Sequence, residues 1–101
     1  MSWADIGGCA PRQVSEGFRV WDIWQGVDGS KAQVVDIAPG ACYPEVEVHA
    51  PGPEEVYVVS GVFNDGERDY PAGSFIHCPA GSAHVPQSRL GCRLFLFYPQ
   101  G

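Results

Sequence analysis

Glu47-Val48-His49-Ala50-Pro51-Gly52-Pro53-Glu54 is the stretch around which the rest of this chain is organised. Its first three residues read as a β-strand, and alternation along a strand places the side chains of Glu47 and His49 on the same face. The prolines and the glycine then predict a turn, after which Glu54 begins a second strand. His84 follows another turn, Pro79-Ala80-Gly81. Two imidazoles and two carboxylates at strand ends predict a site for a divalent metal ion.

The same residues have plainer interpretations that the spacing leaves open. Glu45 and Glu55 lie nearby, so an exposed acidic strand would give the same pattern. Of the adjacent pair Glu54 and Glu55, one side chain must point outwards. His84 stands between two apolar residues and could be a hydrogen-bonded histidine of the core. His77 lies within a predicted strand with no turn to position it, so we interpret it as structural or outward-facing.

The cysteines are widely separated and form no Cys-x-x-Cys pair, so we expect small buried hydrophobic residues with free thiols rather than metal ligands. The N-terminus has no basic region followed by an apolar run, which predicts a chain without a signal peptide and a cytoplasmic location. No apolar run approaches the length of a membrane span. The four cysteines are Cys9, Cys42, Cys78 and Cys92.

Length and charge restrict the classes of protein to be considered. A chain of 101 residues with 45% apolar residues is expected to form one domain, residues 1–101. The net charge is −6, and the six basic residues are scattered along the chain. Because a polyanion is bound through a basic patch, nucleic acid and anionic membranes are not expected partners.

Short runs of alternating or β-branched residues, separated by turn signals, predict an all-β protein. No segment has helical periodicity beyond two turns, and residues 1–17 form an N-terminal extension without a predicted strand. Strands this short, with turns every eight to twelve residues, are typical of an antiparallel sandwich or barrel. The predicted strands are 18–25, 31–37, 41–49, 55–60, 68–70, 74–78, 84–87 and 93–98.

Two spacings in the chain resemble the two sequence motifs of the cupin superfamily. In the first motif four residues separate a histidine from a glutamate and six more separate that glutamate from a glycine, as in His49, Glu54 and Gly61. The second motif is a glycine, five residues, Pro-x-Gly, two residues and a histidine. Gly73, Pro79, Gly81 and His84 fit it in full.

Within the cupins, residues 54–63, 70–76 and 79–88 resemble the ChrR-type branch, and the similarity extends over about residues 34–98. That branch includes the metal-binding cupin domain of a zinc anti-sigma factor and acetylacetone-dioxygenase-like enzymes. Three positions depart from the cupin pattern. Glu47 replaces the first histidine, Gly40 lies one residue too far upstream, and Ser88 replaces the final asparagine.

The resemblance implies a cupin double-stranded β-helix, a jelly-roll-like antiparallel barrel, with Glu47, His49, Glu54 and His84 as metal ligands. Two imidazoles and two carboxylates are a harder set than three histidines, which favours Fe, Mn or Ni, while Zn also accepts carboxylates. The resemblance further implies a homodimer, to which the N-terminal region would contribute Trp3, Trp21 and Trp24.

Three functions follow from the resemblance as alternatives. The first is a metal-binding cupin that acts as a metal-dependent dioxygenase-type enzyme on a small oxygen-chelating substrate. The second is a ChrR-like module that senses a metal or ligand. The third is a scaffold that has lost its metal through Glu47 and binds a small ligand. All three involve a small-molecule ligand or substrate rather than nucleic acid or a membrane.

Overall fold

The structure is a computed structural model that describes all residues 1–101. A 3₁₀ turn, Ile6–Gly8, precedes the first strand. The strands are β1 Arg12–Ser15, β2 Phe18–Gln25, β3 Lys31–Ile37, β4 Ala41–Cys42, β5 Glu47–Val48, β6 Glu54–Asn64, β7 Asp69–Pro71, β8 Phe75–Cys78, β9 Ala83–His84, β10 Gln87–Ser88 and β11 Cys92–Tyr98. No helix is long and apolar enough to cross a membrane.

A nine-stranded antiparallel sheet forms most of the molecule. Its order is β1-β2-β3-β11-β6-β10-β4, and β7 and β8 also pair with β6. The eleven-residue β6 is therefore the hub of the sheet. Its first part pairs with β8 and β11 and its last residues pair with β7 and β10, and the sheet curls into an open barrel. A separate two-stranded sheet, β5-β9, lies outside this path. The predicted all-β antiparallel barrel is confirmed.

Alternation along the long strands directs one face of each into the barrel, where the apolar core lies. In β6, for example, Val56 and Val58 are almost completely buried while Tyr57 and Val59 are open to solvent. The main apolar members of the core are Phe18, Val20, Val35, Ile37, Val56, Val58, Phe63, Leu94 and Leu96.

Prolines explain two places where the predicted strands were too long. The predicted strand 41–49 is divided into β4 and β5, with Pro44 between them, and 84–87 is divided at Pro86 into β9 and β10. Proline has no N–H to donate to a sheet, so pairing stops there. One strand was not predicted at all. Arg12–Ser15 lies in the predicted N-terminal extension but forms β1, which pairs with β2.

Gly61 allows β6 to continue past the residue at which its predicted strand ended. Its φ is +75°, and a Cβ built there would lie 2.0 Å from the carbonyl oxygen of Gly91. Only glycine combines this backbone conformation with so close an approach. Gly61 pairs with Cys92 of β11, and the register between β6 and β11 shifts between Arg93 and Leu94. Gly61, the glycine of the first motif, therefore allows β6 to bend where it passes close to β11.

Candidate metal centre

The short β5-β9 sheet brings the two predicted imidazole ligands together. Glu47 in β5 lies opposite His84 in β9. One residue beyond β5, the backbone N–H of His49 donates to the carbonyl of Ser82 at 3.0 Å, and the N–H of Gly81 donates to the carbonyl of His49 at 2.7 Å. The turn of the second motif is thus bonded directly to the histidine of the first.

The first residue of β6 supplies a carboxylate from the adjoining wall. Glu54 pairs with Cys78 of β8 in the antiparallel register, so both side chains point to the inner face. Both residues are buried, with 3% and 8% of their surface exposed. Burial of a carboxylate without a cation nearby is costly, which marks Glu54 as a functional candidate.

The side-chain atoms of these residues converge on one point. His49 Nε2 lies 3.2 Å from His84 Nε2. Glu54 Oε1 lies 3.4 Å from His49 Nε2 and 3.7 Å from His84 Nε2. The ligand atoms of His49, Glu54, Cys78 and His84 all fall within 4.8 Å of one another. Atoms bound at about 2.0–2.2 Å to one ion lie roughly 3–3.6 Å apart, so the two histidines and Glu54 fit a shared divalent ion.

Burial keeps the imidazoles in the form that binds metals. Desolvation, reinforced by the nearby His49, lowers the pKa of His84 to about 4. Desolvation also lowers the pKa of His49, against the opposing charge of Glu47. Both rings are therefore neutral near pH 7, with lone pairs available for a cation. Desolvation, with the nearby charge of Glu55, raises the pKa of Glu54 to about 7 against the opposing effects of the Tyr98 hydrogen bond and the Lys31 charge.

Tyr98, at the end of β11, holds the other oxygen of Glu54. Its hydroxyl donates a hydrogen bond to Glu54 Oε2. This bond leaves Oε1 as the oxygen that faces the two histidines. The Tyr98 ring lies beneath the Lys31 ammonium, whose nitrogen is 4.8 Å from the ring centroid.

Three of the four residues predicted as ligands are in the cluster, namely His49, Glu54 and His84. Glu47 is half-buried beside it, opposite His84, and its ligand role stays a prediction. Desolvation and the charge of Glu54 raise the pKa of Glu47. His77 lies outside the cluster, where its Nδ1 is 2.6 Å from Glu55 Oε1 and its side chain is exposed.

Cys78 was predicted to be a buried structural thiol, yet it is a member of the cluster. Alternation with His77 places it on the inner face, but only the pairing of β8 with β6 shows that it lies opposite Glu54. The thiol is deeply desolvated, which raises its pKa to about 12. None of the four cysteines is paired in a disulfide.

A cavity of about 170 Å³ opens from the cluster into the barrel. Glu47, Glu54, His84 and Tyr98 form its polar end. Its other walls are mainly apolar core side chains, and Arg12 and Gln33 also line it. Because typical ligand pockets measure about 300–1,000 Å³, this one suits a molecule of only a few heavy atoms.

The family model of the ChrR cupin-like domain matches residues 12–100, nearly the whole chain. The chain is a ChrR-like cupin. The match includes every member of the cluster, so the resemblance seen in the two motifs is confirmed. The comparison of this ChrR-like cupin with curated proteins gives no match by sequence.

Solved structures are similar to this ChrR-like cupin in fold at low sequence identity. An RmlC-like cupin from Shewanella frigidimarina gives a TM-score of 0.85 at 17% identity, covering 100% of this chain and 92% of that one. The polyketide cyclase RemF from Streptomyces resistomycificus gives 0.86 at 16%, covering 100% and 80%. A chain of the Rhodobacter sphaeroides complex of SigE with the anti-sigma ChrR gives 0.76 at 22%, covering 92% and 51%.

Proposed function

We propose that this ChrR-like cupin binds one divalent metal ion and, through it, a small oxygen-chelating molecule on which it carries out dioxygenase-type chemistry. The observation that carries the proposal is the convergence of His49 Nε2, His84 Nε2 and Glu54 Oε1 within 3.7 Å. Glu54 and His84 also line one end of a mainly apolar cavity. Such convergence is hard to explain as surface charge, because His49 and Glu54 are buried.

The donor set narrows the choice of metal. Two imidazoles and one carboxylate with open coordination positions are the set of non-haem iron(II) oxygenases, and Mn, Ni and Zn also accept it. Glu47, predicted as the fourth ligand, would make the set harder and favour Fe or Mn. Cys78 in that role would add a soft thiolate, which favours Zn.

The side chains around the metal ligands restrict the size and chemistry of the molecule that the cavity can bind. A metal ion bound here would supply Lewis-acid polarisation of the substrate oxygens and a position for a second reactant. Tyr98 holds Glu54 in place, and Phe63, whose ring centroid is 6.1 Å from that of His84, closes one side with an apolar surface. Apolar walls exclude water and limit the size of the substrate, which favours a small molecule with two oxygens at one end.

A second candidate function is a sensing module that binds zinc without turnover. It is favoured by Cys78, because two histidines, a cysteine and a carboxylate complete a closed tetrahedral zinc site. The fold similarity to a chain of the SigE–ChrR complex agrees with such a role but does not select it.

Metal analysis and a chelating probe distinguish these functions. The protein is purified without chelators or metal-affinity resin, loaded anaerobically with Fe²⁺ and titrated with acetylacetone. The proposal predicts a new charge-transfer absorption band and oxygen uptake on exposure to air. Cys78→Ser should keep both, whereas Glu47→Gln should weaken the band. A protein that binds Zn²⁺ tightly, loses it in Cys78→Ser and gives no band with the probe would support the sensor instead.

A further inference from the structure

A polar pocket borders the candidate metal centre in addition to the apolar cavity. Its volume is about 160 Å³. Glu47 and Tyr98 line both the pocket and the cavity, while His49 lines the pocket alone. The two spaces therefore meet at the same cluster, with Glu47 and Tyr98 as shared walls. The pocket is also lined by a cation, Lys31 at the start of β3.

The pairing of β3 with β11 places Lys31 beside the metal centre. Lys31 pairs directly with Tyr98 in the antiparallel register, and its ammonium nitrogen lies 4.8 Å from the centroid of the Tyr98 ring. Since the Tyr98 hydroxyl donates a hydrogen bond to Glu54, only one side chain separates the ammonium from a candidate metal ligand. The charge of Lys31 reaches this ligand, because it opposes the rise in the pKa of Glu54.

The half-buried ammonium of Lys31 has no ionic partner in the chain. It forms no salt bridge with any carboxylate. The cation that lines the apolar cavity differs in this respect, because Arg12 is held by Asp22 at 2.7 Å. In a chain of net charge −6, Lys31 is therefore a cation beside the metal centre that is available to an anion from solution.

The charges around a loaded site add up to one positive charge. A divalent ion would be balanced by the carboxylates of Glu54 and, in its predicted ligand role, Glu47. The imidazoles of His49 and His84 bind metals in their neutral form. The ammonium of Lys31 then remains uncompensated. A partly buried charge is stabilised by a counter-ion, so the loaded site is complementary to a molecule with one negative charge.

We propose that the oxygen-chelating molecule bound by this protein is a small carboxylate and that Lys31 recognises its charge in the polar pocket. The class of ligand is a 2-hydroxy or 2-oxo carboxylate of a few heavy atoms. It binds the metal through one carboxylate oxygen and the neighbouring oxygen, and its other carboxylate oxygen accepts a hydrogen bond from the ammonium. The inference rests on the proposed function, because the anion binds to the same metal ion.

Ligand titrations of the Co²⁺-loaded protein test the inference, with lactate as the anion and lactamide as its neutral counterpart. Both molecules chelate through a hydroxyl and a carbonyl oxygen and are of equal size, so they differ mainly in charge. Binding is followed by the d–d absorption of the Co²⁺ ion. Lys31→Met removes the charge and keeps the length of the side chain. It should raise the dissociation constant of lactate about tenfold and change that of lactamide less than about twofold.

Arg89→Met is the matched control, because Arg89 is an exposed cation that lines neither the cavity nor the polar pocket. It changes the net charge of the protein by the same amount and should leave both affinities unchanged. Lys31→Gln removes the same charge with a shorter side chain and should match Lys31→Met, which provides a second measurement if one variant is unstable. Circular dichroism and Co²⁺ stoichiometry confirm that each variant is folded and loaded.

The outcomes separate this inference from the proposed function. Equal losses of affinity for lactate and lactamide in the Lys31 variants, or unchanged binding of lactate, would overturn the inference and leave the metal site standing. A protein that holds Co²⁺ but binds neither molecule would overturn it as well. A wild-type protein that takes up no Co²⁺ would overturn the proposed function itself, and this inference with it.

Discussion

Tyr98 determines which oxygen of Glu54 faces the two histidines. Its hydroxyl occupies Oε2, and Oε1 is the atom near His49 Nε2 and His84 Nε2. A carboxylate held in this way binds a metal through one oxygen, which leaves a coordination position for another ligand. Tyr98 is itself deeply buried in charge-rich surroundings, and desolvation together with Glu54 raises its pKa. The hydroxyl therefore stays protonated and remains a donor at all ordinary pH values.

Tyr98→Phe should weaken metal binding by about 10- to 100-fold, the usual effect of removing a partner of a metal ligand. The ring and its packing remain, so the fold should be unchanged. A competition titration of Zn²⁺ against a chelating dye measures the affinity. Tyr57→Phe, on the exposed outer face, is the control and should bind as tightly as the wild-type protein. Equal affinity in Tyr98→Phe would contradict a positioning role.

Residue spacing in the sequence was enough to predict three members of the cluster. It did not predict that Cys78 and Tyr98 also lie at the site. His49, Glu54 and His84 are fixed by local turns, and turns can be read from proline and glycine. Cys78 and Tyr98 reach the site only because β8 and β11 lie on either side of β6 in one particular register. Register between distant strands depends on packing of the whole barrel, which a local pattern does not contain.

At the scale of elements, the turn between β6 and β7 is held by one carboxylate. Asp65 Oδ1 accepts hydrogen bonds from the backbone N–H groups of Glu67 and Arg68, both at 2.9 Å, and Oδ2 accepts one from the Tyr70 hydroxyl at 2.7 Å. The backbone carbonyl of Asp65 also accepts from the N–H of Val85, next to His84. The turn therefore stabilises the hairpin and supports the strand that carries His84.

Asp65→Asn should lower the free energy of unfolding by about 1–2 kcal/mol at pH 7, since hydrogen bonds to a charged acceptor are lost. Desolvation alone would raise the pKa of Asp65, but the bonds from Tyr70, Arg68 and Glu67 outweigh it and the pKa is lowered below 3.8. This stabilisation is complete above that value and is lost as the pH falls through the folded-state pKa. The difference between variant and wild type should therefore shrink in acid.

Urea unfolding at several pH values measures this difference. Asp69→Asn is the control, because Asp69 accepts a single exposed bond from Asn64 at 2.9 Å. It should change stability by less than half as much. A loss in Asp65→Asn that stays constant down to pH 2 would contradict the assignment.

The strand boundaries show the same contrast. Boundaries set by local sequence patterns were predicted, and those set by pairing with a distant strand were not. Strands β2 and β3 have the bounds that alternation and the intervening turn predict. The strand β1 was missed because Arg12–Ser15 has little apolar content and is held by pairing with β2. Its Arg12 side chain is fixed by an ion pair to Asp22 at 2.7 Å, a contact that depends on the register of the two strands.

At the scale of the whole molecule, the inner face of the barrel ends in the buried cluster and the cavity. A metal ion bound to the cluster would connect β6 and β9 with His49, which directly follows β5, although β5 and β9 form a separate sheet that does not pair with β6. Metal binding should therefore stabilise the fold as well as serve the chemistry.

The central claim is that His49 and His84 bind a metal ion and His77 does not. The most direct test is metal stoichiometry, by elemental analysis, of the wild-type protein and of His49→Ala, His84→Ala and His77→Ala, each shown to be folded by circular dichroism. The account predicts close to one ion per chain in the wild type and in His77→Ala, and a loss of bound metal in the other two. A site emptied by His77→Ala but not by His84→Ala, or a folded wild-type protein that holds no metal, would contradict it.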